Sequence, residues 1–156
     1  MNKEAVKLEA IVGQCGKHVQ RLNYAYSQIA FLLPFTAENV DRLKDEEISH
    51  LDQYIFRFSK LQDTLGQKLF PAVLARLGEE VFNKSFLDIF NRLEQLDIIE
   101  DYSLWQELRI VRNEIAHEYN EDQHDLAEKL NKLVNSRLLL EKYFNDILKF
   151  LEKKAL

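Results

Sequence analysis

One cysteine, two prolines and four glycines among 156 residues leave little to interrupt regular structure. The single Cys15 excludes an internal disulfide. No Cys/His cluster has the spacing of a zinc site, so no metal and no cofactor are expected. Gly/Ser-rich linkers and low-complexity segments are absent, and a chain of 156 residues with 46% hydrophobic content can build one core and is a little short for two. Residues 1–156 are therefore expected to form a single domain. No apolar run approaches the ~18 residues of a membrane span, and Met1 to Ala5 lead into a mixed helix without a signal-type apolar stretch. The expectation is a soluble, cytoplasmic protein with no membrane partner. An excess of positive charge is missing too: the net charge of −5 argues against broad, non-specific nucleic-acid binding. A small basic site on an acidic body stays open.

No segment alternates with period two for long enough to be a strand. The periodicity is helical throughout. Leu8, Ile11, Val12, Cys15, Val19, Leu22, Tyr26 and Ile29 predict a long first helix ending before Pro34, with Cys15 as a small core residue. Thr36 reads as an N-cap, and Asp41 to Glu47 as a polar entry to a second long helix with the stripe Ile48, Leu51, Ile55, Phe58, Gln62, Leu65, Leu69. Pro71 is placed to bend or end it, and Gly78 to close the turn that follows. Ser85 caps a third, shorter helix, and Ser103 opens a fourth after the acidic stretch Glu94, Asp97, Glu100, Asp101. That stretch reads as a solvated loop and helix N-terminus, not a metal cluster. A polar break at Asn120 to Asp125 precedes one final long helix running from Leu126 to Leu151. The fold class is all-α, an up-and-down bundle of about five helices. Tyr24, Tyr26, Tyr54, Tyr102 and Tyr143 are read as core edges, not as base-stacking platforms.

The fourth helix carries the chemistry. Its stripe Trp105, Leu108, Arg112, Ile115, Tyr119 steps 3, 4, 3, 4 and places a guanidinium where a Leu is expected. A buried ion costs on the order of several kcal/mol unless paired. In an antiparallel packing, Gln62 and Asp63 of the second helix are the best-placed partners for Arg112. An ordinary helix flank with a solvent-facing carboxylate, or an Arg that snorkels, explains the same residues as well. At roughly 100° per residue, His117 lies about 140° round the axis from Arg112, whereas Tyr119 nearly eclipses it. Arg and His can then meet if the helix frays, if the Arg reaches round, or if a second copy approaches. His117 shares its flank with Ile110 and Asn113, a mixed patch that suits a dimer seam.

The run Arg112-x4-His117-x-Tyr119, with Asn113 flanking it and Arg57 to Gly66 on the second helix, resembles the HEPN superfamily. It is most similar to the HepT-type toxins. The resemblance spans the bundle, although its specific motif is only eight residues long. It implies a homodimer in which two facing motifs form a metal-independent endoribonuclease, with Arg112 and His117 performing the cleavage of RNA. It also implies a partner, a minimal (MNT-type) nucleotidyltransferase antitoxin that silences the toxin by adding AMP to Tyr119. Arg109, Asn113, Gln62 and Asp63 are the supporting residues.

The side chains suit that chemistry. RNA cleavage by its own 2′-OH needs a proton carrier, and His117 has a near-neutral unperturbed pKa. It also needs a fixed cation at the phosphorane, which the planar fork of Arg112 supplies. The symmetry of a dimer suggests that two His divide the acid and base roles. Two rivals stand beside this reading. One is a non-catalytic substrate- or nucleotide-binding subunit of a nucleotidyltransferase. The other is a purely structural helical dimer in which Arg112 pairs with Asp63 or Gln62 to set register.

Overall fold

A computed structural model describes residues 2–116 and 122–156, and all regular structure in them is helical. The elements are α1 (Lys3–Ile29), α2 (Ala37–Asp41), α3 (Asp45–Thr64), α4 (Phe70–Arg76), α5 (Phe86–Gln95), α6 (Tyr102–Ala116), α7 (Gln123–Asn135) and α8 (Arg137–Lys153). Among the described residues, no helix is long and apolar enough to cross a membrane.

The first helix follows its stripe. Leu8, Ile11, Cys15, Leu22 and Ile29 are buried, and burial pushes the Cys15 thiol up to about 12, which makes it an inert core group. Helix α1 runs antiparallel to α3, as two contacts establish: Arg57 Nη1 donates to His18 Nδ1 at 2.9 Å, and the rings of Tyr24 and His50 meet edge-on at 6.0 Å. Thr36 does cap a helix, with Asn39 completing a capping box, but that helix is the separate five-residue α2. The second long helix starts afresh at Asp45, where the Glu47 carboxylate accepts the Lys44 backbone N–H. Asn131 of α7 ties the segment before α2 to that helix: it accepts from the Phe35 N–H and donates to the Phe35 carbonyl.

Pro71 neither ends nor breaks its helix. A Pro lacks an N–H, and in an α-helix its ring collides with the carbonyl four residues back. Here the turn Leu65–Leu69 is a π-helix, closed by the Phe70 N–H on the Leu65 carbonyl, and this wider turn carries the helix through Pro71 to Arg76. Gly78 then terminates it at φ 84°. Its N–H bonds the Ala75 carbonyl and that of Glu79 bonds Leu74, the two bonds of a Schellman end.

Two other boundaries differ from expectation. Asp101 opens α6, not Ser103, because its carboxylate accepts the Leu104 N–H while its backbone sits at φ 67°. The single final helix is two, parted at Ser136. The Ser136 hydroxyl donates to the Lys132 carbonyl at 2.7 Å, while its N–H turns to Leu133. The Tyr54 hydroxyl, fully buried, donates to the carbonyls of Leu133 and Val134 and so covers the end of α7. The jog leaves Leu138, which an unbroken helix from Leu126 to Leu151 places on its apolar stripe, 66% exposed.

The core thickens where α6 meets the rest. Trp105 packs between Phe70 at 5.1 Å and Tyr143 at 5.0 Å, with Phe86 stacked on it at 5.7 Å. Gly66 makes this possible: a Cβ there would stand 3.1 Å from both Trp105 Cζ2 and Phe86 Cε1. In Gly66→Ala, a better helix propensity of about 1 kcal/mol competes with about 1–3 kcal/mol of overpacking. Trp105 is hemmed in, so the expected result is a net loss of about 1 kcal/mol, seen as a lower urea midpoint at unchanged slope. A raised midpoint would show that the rings yield.

The α1–α3 contact is pH-sensitive. Burial first, then the charges of Arg57, Lys60 and Lys68, hold His18 below its ordinary value of 6.5. The folded state therefore binds its proton less readily than the unfolded chain. The stability contributed is complete above about pH 6.5 and is lost as pH falls through the lowered folded value. Thermal melts should show the wild type losing stability below pH 6.5 more steeply than His18→Gln; parallel curves would refute the assignment.

Candidate functional site

Helix α6 lies antiparallel to α3, Trp105 meeting Gly66 and Arg112 meeting Asp63, and between them is a cavity of about 240 Å³, walled by Gln62, Asp63, Gln67, Arg109, Arg112 and Asn113 over a floor of Gly66, Phe86 and Trp105. The aromatic packing of Trp105 sets the spacing of the two helices, and two turns further along α6 Arg112 faces α3. Its Nη1 donates to Asp63 Oδ1 at 2.5 Å.

The stripe that carries Arg112 is a core stripe as expected, with Trp105, Leu108 and Ile115 at 2%, 1% and 5% exposure. Arg112 departs from it. Its side chain is 29% exposed and that of Asp63 37%, so the guanidinium emerges into the cavity mouth and is not the buried ion that its position suggested. A pair this open is worth about 1 kcal/mol or less. Its consequence is orientation: one edge of the fork is held by Asp63, and the side chain lines the cavity.

Gln62 does not serve Arg112. It is 2% exposed, and neither its amide oxygen nor its amide nitrogen has a partner among the described residues. Trp105 Nε1, on the floor of the same cavity, is likewise unpartnered. Arg109 and Asn113 are exposed at the rim. His117 and Tyr119 lie outside the described residues.

Sequence patterns alone did not single out Gly66 and Phe86 as part of this place. The only available signal was a glycine inside a helical stripe, which marks a close approach. The acidic stretch resolves into structural roles. Asp101 caps α6, its carbonyl accepts the Tyr143 hydroxyl at 2.7 Å, and Glu100 stands 3.6 Å from Lys142. Of the tyrosines, Tyr54 and Tyr143 are core residues, whereas Tyr24 is 50% exposed.

No protein-family model matches the chain, and neither does any curated protein or solved structure.

A buried polar atom without a partner costs about 1–3 kcal/mol. Gln62→Met keeps the length of the side chain and removes both such atoms, so it should stabilise the fold by at least about 1 kcal/mol. Thermal denaturation checks this, and a lowered Tm would mean that the amide is satisfied.

Proposed function

We propose that this chain is an RNA-cleaving toxin of the HEPN type, resembling the HepT toxins, that acts as a homodimer without a metal. The observation that carries the proposal is the placement of Arg112. It stands about a third exposed at the mouth of a polar cavity, braced from one side by Asp63, with Arg109 and Asn113 beside it. A guanidinium so held presents donors to a phosphate without first losing its own freedom. His117 follows five residues later in the same sequence motif.

In the proposed reaction the 2′-OH of one nucleotide attacks the adjacent phosphorus. His117 takes the hydroxyl proton or returns one to the departing 5′-oxygen, and in a dimer the second His117 takes the other role. Arg112 neutralises the charge gathering on the phosphorane oxygens. The P–O5′ bond breaks, leaving a 2′,3′-cyclic phosphate and a 5′-hydroxyl. The dimer seam is assigned to the flank of α6 that bears Asn113 and Ile110, the latter 57% exposed. Silencing is assigned to the partner nucleotidyltransferase. The Tyr119 oxygen attacks the α-phosphorus of ATP, pyrophosphate leaves, and the attached AMP puts a phosphate where that of RNA must lie.

The test is cleavage of RNA by the unmodified protein in EDTA, beside Arg112→Ala and His117→Ala. Cyclic-phosphate ends that form with the wild type and fall at least about a hundredfold in both variants are expected, since each removes a group worth ~10²–10⁴ in rate. No cleavage by protein shown by mass to lack AMP would turn the reading to a nucleotide-binding subunit of the transferase.

A further inference from the structure

The net charge of −5 hides an uneven distribution. On α3, His50, Gln53, Arg57 and Lys60 step 3, 4, 3 and share one face, and on α1, Lys17, Arg21 and Tyr24 step 4, 3. The contacts of Tyr24 with His50 and of His18 with Arg57 bring these two faces edge to edge. Between its ends, neither stripe carries a carboxylate. On α3, Glu46 and Glu47 stand one turn before His50, Asp52 one turn before Phe56, and Asp63, which Arg112 holds, one turn after Lys60.

Two aromatic groups stand out from this strip. Tyr24 is 50% exposed and Phe56 is 51% exposed. Arg57 and Lys60 lie 5.4 and 5.6 Å from the centre of the Phe56 ring. Among the described residues, Arg57, Lys60 and Lys17 make no ion pair, unlike Arg42, Arg92 and Lys142 elsewhere on the surface. Beside burial, the charges that hold His18 below its ordinary value are those of Arg57, Lys60 and Lys68. From Tyr24 and His50 to Lys60 the strip runs along about ten residues of helix, roughly 15 Å, and Asp63 at the Arg112 cavity follows one turn later.

We infer that the α1–α3 strip is a docking track for single-stranded RNA, leading to the Arg112 cavity, with Phe56 and Tyr24 stacking bases while Arg57, Lys60, Lys17 and Arg21 meet phosphates. Exposed rings interleaved with unpaired cations are what a single strand requires, since each base offers a π-face and each phosphate a charge. An acidic protein partner would use the cations and leave the rings without a role. A duplex would offer phosphates but keep its bases stacked on each other. The inference rests on the RNA-handling reading of the Arg112 site, but it concerns binding, which is measured apart from cleavage.

The experiment is fluorescence anisotropy of a labelled short oligouridylate with the full chain, across a salt series. Folding of each variant is checked by circular dichroism. Phe56→Ala should weaken binding about five- to a hundredfold, the range found for loss of one stacked base. The double reversal Lys17→Glu/Lys60→Glu should weaken it more and lower the salt slope by at least about 1.4, the value for two phosphate contacts on a single strand. Lys149→Glu/Lys153→Glu on α8, with the same change of charge, should leave affinity within about twofold. The track is overturned if the wild type does not bind the oligonucleotide, if the strip variants bind as it does, or if the α8 pair weakens binding equally. Binding lost in the strip variants, together with no cleavage by the wild type, would keep the track and sink the ribonuclease. Cleavage with strip variants that bind normally would do the reverse.

Discussion

Trp105 against the bare backbone of Gly66 is the contact on which the candidate site depends. Because Gly66 has no side chain, the indole settles over the π-turn of the second long helix, and Phe70, Phe86 and Tyr143 close round it. This anchors α6 at a short distance from α3 near one end. Two turns on along α6, a polar cavity lies between the helices, and there Arg112 and Asp63 meet across it. A side chain at position 66 would push the helices apart and change the reach that Arg112 needs.

The same π-turn answers a second demand. Pro71 cannot sit in an ordinary α-helix without a lost hydrogen bond and a clash, and the wider turn before it absorbs both. One local adjustment therefore carries the helix past a proline and presents the glycine that seats Trp105. The Arg112–Asp63 pair is by comparison a modest energetic term, since both partners are about a third exposed. What it fixes is direction. A guanidinium tethered at one edge offers the rest of its fork to whatever enters the cavity, and a single strand docked on the α1–α3 strip, as proposed, would bring a phosphate to it.

Local chemistry explains which boundaries were legible. Thr36 with Asn39 and Ser85 with Asp88 are capping boxes written within four residues, and each does start a helix. Asp101 belongs to the acidic stretch that reads as a helix N-terminus, but its role as the cap in place of Ser103 depends on a left-handed backbone that an Asp tolerates but does not announce. Ser136 was missed for a related reason. An apolar 3–4 pattern passes through it without a break, and the interruption arises from its hydroxyl bonding the Lys132 carbonyl and from Tyr54 reaching in from α3. Half of that arrangement comes from a residue eighty positions away.

The division between what the chain alone determined and what folding decided follows from the range of the forces. Helical class, the first helix, the Ser85 start, the Gly78 stop and the apolar stripe of α6 follow from periodicity and capping, which act within a turn or two. The pairing of Arg112 with Asp63 was anticipated as one of two options because both lie at helix positions that an antiparallel packing can bring together. Which partner it takes, and that Gln62 is buried unpaired while Arg112 comes out to solvent, depended on where α6 crosses α3. So did the joining of the cationic stripes of α1 and α3 into one strip. Those are distances between elements far apart in the chain, set by how large and absent side chains fill the space between helices, and only the packed structure contains them.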